Sequence, residues 1–507
     1  MKKQFLGGVN INAEAGYGNE DRYLGRLFGM IFSGAGQYSF YFNTNNLNDS
    51  RRPGQQTSWT PDKMPTGVRK TIAGGFDYDI KTLDKHWELN GNVNVETTRE
   101  TDGTDIVRTN YLVNGNTYDY QFNRTLNKSW AIGTNHKLYY KTKGGYGIAM
   151  EPYFNYNNWN YWGQDVNATF NETFNNVSTD FIQNIYGGDS QGALASLLNR
   201  NIEMNRQKGH SISTGTDLWQ GYNIPGTNDM LVLNLVGKYD NKRDERFNHY
   251  DINFGQDATP AQSANRYFKN FPDFGSDLTA ELNYTRKLAK MVTLSLTYGY
   301  NHVYHKSTSN LYNLDNIDDV DEFMFGKLPS AIDYELSLDR GNSYLSRNTE
   351  NNHKFDISFN YGDPIMSKLW IQIRFPFVLS NRRLDYQRAA VDTTVTRRSV
   401  LFNITDTYFQ YKFNKNSSIY LGLQLQSRTP DLVSMVDITD TTNPLYTMKG
   451  NGNLKNALRY YANLTYNYKT FWIVGEYTKT DNALSQGYTY DSSTGVREGR
   501  YYNVDGN

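Results

Sequence analysis

The sequence predicts an all-β protein, an antiparallel β-barrel that crosses a membrane with its strands. Three observations predict it. Segments of roughly ten residues alternate apolar and polar side chains, the length and period of a membrane strand. The connections between them fall into a short class and a long class. Aromatic residues make up 15% of the 507 residues, with 41 Tyr against 26 Phe, although apolar residues reach only 38%. Side chains along a strand point to opposite faces in turn, so one face can meet lipid and the other a wet lumen.

The alternation recurs along the chain. Val9, Ile11, Ala13, Ala15 and Tyr17 alternate with Asn10, Asn12, Glu14 and Gly16. Trp87, Leu89, Gly91, Val93 and Val95 alternate with Glu88, Asn90, Asn92, Asn94 and Glu96. The same pattern runs from Val292 to Tyr300, from Lys354 to Tyr361, from Leu369 to Phe377 and from Ile419 to Gln426. Glu14, Glu88, Glu96, Lys354, Asp356 and Arg374 all fall on the polar face. That placement matters, because Lys or Arg facing mid-bilayer costs about 2–4 kcal/mol. The pattern gives roughly 16 strands, in the range of porins and larger transporters.

Short turns fall at Ser33-Gly34-Ala35-Gly36, Lys81 to Lys85, Arg286 to Lys290, Gly362 to Ser367, Asn414 to Ser417 and Lys469-Thr470. Long polar stretches lie between them, at Asn43 to Thr66, Asn160 to Asn205, Tyr304 to Ser343 and Ser427 to Ala457. Outer-membrane barrels have short periplasmic turns and long extracellular loops. Tyr17, Tyr78, Tyr300, Tyr361, Tyr466 and Tyr468 sit near segment ends. A ring with a wet hydroxyl suits an interfacial girdle.

Composition excludes several functions. The 52 basic and 52 acidic residues cancel, which gives no footing for nucleic acid. With no Cys there is no disulfide framework, thiolate zinc site or cysteine nucleophile. No apolar run reaches the length of a transmembrane helix. The sequence holds no P-loop, dinucleotide fingerprint or Gly-x-Ser-x-Gly elbow, and we expect no enzyme, no cofactor and no metal. His302 and His305 are close in sequence, but in a strand they point to opposite faces. The stretch Met1 to Leu6 is briefly basic without the apolar region of a signal peptide, and Tyr501 to Asn507 breaks off in strand-like sequence. We expect residues 1–507 to form one transmembrane β-barrel domain, truncated at both ends.

Two stretches carry a family resemblance. The first is Tyr17-Gly18-Asn19-Glu20-Asp21-Arg22-Tyr23, followed by Phe42-Asn43-Thr44-Asn45-Asn46-Leu47-Asn48. The second runs Leu425-Gln426-Ser427-Arg428-Thr429-Pro430-Asp431-Leu432, then Thr442-Asn443-Pro444-Leu445, then Gly450-Asn451-Gly452-Asn453-Leu454-Lys455. Together they resemble the outer-membrane β-barrel family of TonB-dependent receptors of the Bacteroidota type. There an Arg-Pro strand end leads into an Asp/Asn-Pro loop and a Gly-Asn-Pro-x-Leu-Lys-Pro-Glu motif. Asn503 to Asn507 resembles the Asn-Val-Asp-Gly-Asn segment before the family's final strands. The sequence departs where Thr429 separates Arg428 from Pro430, where Gly452 replaces a Pro, and where Asn456-Ala457 replaces Pro-Glu.

The resemblance implies a barrel of about 22 strands, a size that needs a plugged lumen. It also implies an N-terminal plug and a TonB partner, neither encoded in residues 1–507, and uptake of a scarce siderophore, glycan or peptide across the bacterial outer membrane. It makes Arg428, Pro430, Asn443, Pro444, Gly450, Asn451, Asn453, Leu454 and Lys455 the family-motif loop. The alternative is a plugless barrel acting as a passive pore, adhesin or structural partner. A soluble β-sandwich is a third reading.

Three further features have bland and functional readings. Gln191 to Ile202 looks helical and would either pack on its own loop or cover a pore. Asp315, Asp318, Asp319, Asp321 and Glu322 suit a solvated loop better than a calcium site. The aromatic run from Tyr153 to Trp159 suits a strand end and its interfacial girdle better than ligand stacking.

Overall fold

A computed structural model describes residues 7–49, 67–84, 86–111, 115–187, 191–317, 325–326, 328, 334–443, 446–490 and 497–506. The chain is all-β, and its strands lie in one sheet. In order they are β1 (Gly8–Tyr17), β2 (Tyr23–Phe32), β3 (Gly36–Asn45), β4 (Val68–Lys81), β5 (Trp87–Asn110), β6 (Thr117–Lys141) and β7 (Tyr146–Phe170). Then come two short helices, α1 (Thr179–Gln183) and α2 (Gln191–Ser196), and β8 (Leu197–Asn223), β9 (Asp229–Phe254), β10 (Gln262–Ala289) and β11 (Val292–Asn313). The rest are β12 (Tyr344–Tyr361), β13 (Leu369–Arg388), β14 (Val391–Phe402), β15 (Ile404–Asn414), β16 (Ser417–Arg428), β17 (Thr439–Asn443), β18 (Tyr446–Lys449), β19 (Ala457–Tyr468), β20 (Phe471–Tyr490) and β21 (Arg497–Gly506).

From β1 to β13 each strand pairs antiparallel with the next. The free edge of β13 takes β14 along Phe377–Arg388 and β15 along Leu369–Arg374, so these two act as one strand broken by an irregularity. Asp406, with φ 45°, sits in that break. The sheet continues through β16, β19, β20 and β21. A small β17–β18 hairpin adds to β21 by a parallel pairing. The 21 strands among the described residues exceed the roughly 16 that alternation picks out. Two of the extra ones are this hairpin, and another comes from the break between β14 and β15.

The register aligns one apolar face across the whole sheet. One row runs Leu233, Leu282, Tyr298, Phe355, Phe377 and Phe402 on six successive staves. These side chains do not fill a core: Leu282 is 45% exposed, Tyr298 44% and Phe355 43%. The belt extends to Val9, Ile31 and Tyr38 at one end and to Leu464 and Ile473 at the other. All six Tyr residues expected in a girdle carry the parity of this face.

Several charges of the polar face are paired. Glu14 meets Arg26 at 3.2 Å, Glu96 meets Arg69 at 2.9 Å and Glu88 meets Lys81 at 3.1 Å. Lys354 reaches across β11 to Glu281 at 2.9 Å. The residue between them is Gly299, where a Cβ would lie 3.1 Å from the Glu281 Cγ. Arg374 is shared by Asp356 at 2.6 Å and Asp406 at 2.9 Å, and Asp356 is buried.

Connections at one end are short, at 33–35, 142–145, 290–291, 415–416 and 469–470. At the other end they reach 171–196, 314–343 and 429–456, with short exceptions at 18–22 and 389–390. Two of the expected long loops shrink. Residues 160–170 and 197–205 are strand, as are 304–313. There the strands run past the belt, and apolar side chains such as Val166, Phe170 and Tyr312 pack under folded-back loop residues while backbone pairing goes on. The 43–66 stretch lies mostly outside the described residues.

Among the described residues, the buried apolar clusters sit at the long-loop end. Ile182 and Ile185 pack with Tyr120, Phe122, Val166 and Phe170. Tyr120 and Phe122 share the parity of Trp130 and Ile132, so this loop folds against the apolar-face side and not over the polar face. Of the expected helix at Gln191 to Ile202 only α2 forms, and β8 begins at Leu197. The run from Tyr153 to Trp159 lies in mid-strand of β7, not at a strand end.

In β1 the strand pairs only on its β2 side, and Phe471–Lys479 of β20 pair only with β19, among the described residues. In lipid such edges must pair, with each other or with further strands.

Candidate functional site: the polar face and its folded-back loop

On the polar face, β8 to β11 enclose a cavity of about 580 Å³. Alternation brings its side chains together: Ser211 and Ser213 from β8, Lys238, Asp240 and Lys242 from β9, Asp273 and Asp277 from β10, and His305 from β11. Asp273 accepts from His305 Nε2 at 2.6 Å, or pairs with it when the ring is protonated. Asp277 is fixed by Asn301 Nδ2 at 2.6 Å and the Thr279 hydroxyl at 3.2 Å. Lys242 lies 5.5 Å over the Trp159 ring and 3.5 Å from buried Asp244. Asp244 in turn accepts from Gln207 and Asn270 at 2.9 and 3.0 Å. Gly209 leaves room beside these groups, since a Cβ there would lie 2.7 Å from the Trp159 ring. The result is a wet, double-signed recess with fixed donors and acceptors, suited to a polar solute.

The loop 429–456 folds onto the polar face at its far end. Leu432 and Val436 pack on Leu384 and Tyr386 of β13. These β13 residues carry the opposite parity to Leu379 and Phe377 of the belt. Arg382 anchors the loop root, donating to Thr429 Oγ1 at 2.7 Å and to the Pro430 carbonyl at 2.8 Å while pairing with Glu350 at 3.1 Å. Arg397 donates to the Leu454 carbonyl at 2.8 Å and to Asn456 at 2.6 Å.

The family-motif residues within the described part of the chain build this loop. Arg428 ends β16 opposite Ala457 and is exposed, whereas Pro430 is buried. Asn443 pairs with Tyr446 in the β17–β18 hairpin, and Pro444 lies outside the described residues. The Gly450 amide donates to the Ile438 carbonyl at 3.2 Å, and a Cβ there would lie 1.7 Å from the Val436 oxygen. The Asn451 amide donates to Ser434, and its side chain donates to the Tyr501 carbonyl at 2.9 Å. Asn453 donates to the Asn451 side chain, Leu454 is buried, and the Lys455 amide donates to Asn503 at 2.8 Å. The motif therefore ties the loop to β21.

The sequence reading missed the cavity. The signal is present in Lys238, Asp240, Lys242, Asp273 and Asp277, which all fall on polar-face positions of long strands. It shows only when neighbouring strands are in register. His302 and His305 do separate: His302 bonds Asn351 at 2.9 Å on the apolar-face side. Among the described residues no three His, Asp or Glu side chains gather as metal ligands. Of the acidic cluster, Asp315 accepts from the Asn265 amide at 3.0 Å, and the other four members lie outside the described residues.

No family model and no curated protein matches the chain. Among solved structures, it is similar to the ferric yersiniabactin uptake receptor FyuA from Yersinia pestis. The identity is 10%, the match covers 99% of this chain and 80% of that one, and the TM-score is 0.32. At that level the likeness carries no argument, and the fold stands on its own register.

Proposed function

We propose that the chain forms the barrel of an outer-membrane uptake receptor of the TonB-dependent type, taking up a scarce siderophore, glycan or peptide. The apolar belt carries this reading. A soluble protein rarely exposes a contiguous apolar patch larger than several hundred Å², and here one face is apolar and open from β1 to β20. Lipid covers that face, and the polar face then lines a lumen. The long connections rise outside the cell, where they meet the ligand.

The double-signed recess between β8 and β11 is a lumenal stop for a polar solute, and the loop 429–456 narrows the lumen above β13 and β14. A plug and TonB complete the receptor in this reading. The test is planar-bilayer recording on protein purified from outer membranes of cells expressing the full native locus. A closed, silent lumen is expected. A steady open conductance contradicts a gated receptor and establishes a passive pore.

A further inference from the structure

One stretch of the apolar-face rim is not built for acyl chains alone. A cleft of about 430 Å³ opens on this face between β11, β12, β13 and β14. Two cross-strand rows make it. The lower row is Tyr300, His353, Leu379 and Val400, and Val400 is 63% exposed. The next row, one step toward the long-loop end, is His302, Asn351, Asn381 and Arg398.

The polar groups of the cleft are held in place. Asn351 Oδ1 accepts from the Tyr300 hydroxyl and faces His302 Nδ1, each at 2.9 Å. The Tyr298 hydroxyl lies 3.0 Å from His353 Nδ1. Arg398 is exposed and has no hydrogen-bond, ion-pair or ring partner among the described residues.

One step further up on the same face stands Arg383, and one step beyond it Lys306 and Arg347 stand opposite each other. Asp385 is the acidic group among them, and it is engaged by Arg383 at 2.8 Å and the Thr394 hydroxyl at 2.7 Å. The rim is thus cationic above and apolar below.

We propose that this cleft seats a phosphate of an outer-leaflet glycolipid. Arg398 is its anion ligand, and Leu379 and Val400 form the shelf beneath its acyl chains. A guanidinium presents a planar fork of donors that matches phosphate oxygens. Arg383, Arg347 and Lys306 supply the field that favours an anion there. The amphiphile's two halves match the two rows in the order that a membrane imposes. The proposal rests on the barrel reading, which sets the face toward lipid and the long-loop end outward.

The test uses the full chain extracted from outer membranes in mild detergent. Native mass spectrometry counts phosphorylated glycolipid retained through delipidation by wild type, Arg398→Glu and Arg398→Lys. Wild type retains one lipid, Arg398→Glu loses at least about tenfold in retention, and Arg398→Lys falls between, since it keeps charge without the fork. In a second arm, wild type in nanodiscs binds the glycolipid more tightly than its dephosphorylated form. That arm decides the matter if Arg398→Glu does not fold. Equal retention by all three proteins, or equal binding of both lipids, overturns the proposal. Displacement by millimolar inorganic phosphate also overturns it, in favour of a free-anion site. Loss of the barrel reading itself looks different, as protein recovered without detergent.

Discussion

At the scale of single residues, three positions carry most of the local argument. Gly450 passes so close to the Val436 carbonyl that a methyl group has no room. Gly450→Ala should lift the 429–456 loop at a cost of about 1–3 kcal/mol. Limited proteolysis should then cut within the loop while the sheet stays intact; an unchanged cleavage pattern would refute the packing described. Arg374 is the main partner of buried Asp356. Arg374→Ala leaves that carboxylate unpaired and should cost about 1–3 kcal/mol in reversible unfolding. The companion substitution Asp356→Asn should recover part of the loss.

His249 gives a pH dependence whose sign can be worked out. It lies in the far end of β9, beyond the belt, with Asp251 at 3.2 Å and Asn265 at 2.6 Å. The hydrogen bond to Asp251 raises its pKa above the ordinary value, and burial opposes this. A raised folded pKa stabilises the protonated, folded form. The contribution is complete below the unfolded pKa, about 6.5, and is lost as pH rises through the higher folded value. Amide-exchange protection in the β9–β10 end, taken relative to the intrinsic rate at each pH, should therefore fall above neutral pH, and His249→Asn should abolish that fall. A dependence of opposite slope would remove His249 from the account.

At the scale of elements, the strands within the belt were legible in the sequence because each has one wet and one apolar face. Lys354 to Tyr361 is such a segment, with Ile357 toward the belt and Asp356 and Ser358 on the polar side. Ile357→Arg should cost about 2–4 kcal/mol for refolding into bilayers, and Ser358→Arg far less. Equal costs would mean that neither face meets lipid. Legibility ends where the belt ends. Residues 160–170 and 197–205 are strand whose apolar side chains, Val166, Phe170 and Leu197 among them, pack under the folded-back loop and not in the belt, so their sequence reads as loop. The β17–β18 hairpin and the break at Asp406 were equally hidden, since short paired segments and irregularities leave no period. Of the site, the motif loop was visible from Arg428 to Lys455, but its role as a brace was not. That role depends on Arg382, Arg397 and Asn503, which come from distant strands. The recess was hidden for the same reason, because Lys238, Asp277 and His305 meet only through register.

At the scale of the whole molecule, an exposed apolar belt faces one way, and a charge-paired, Asn-rich face looks the other way. Water cannot be the solvent of both. A bilayer satisfies the first and a lumen the second, and the strands between the two open edges keep their backbone hydrogen bonds within the sheet. The measurement that tests this most directly is to fractionate cells expressing the full native locus and run the outer-membrane fraction on gels with and without boiling. The account predicts that the chain is found in that fraction, needs detergent for extraction and shifts in mobility on heating. A chain that stays in the aqueous fraction without detergent and runs the same before and after boiling would contradict it.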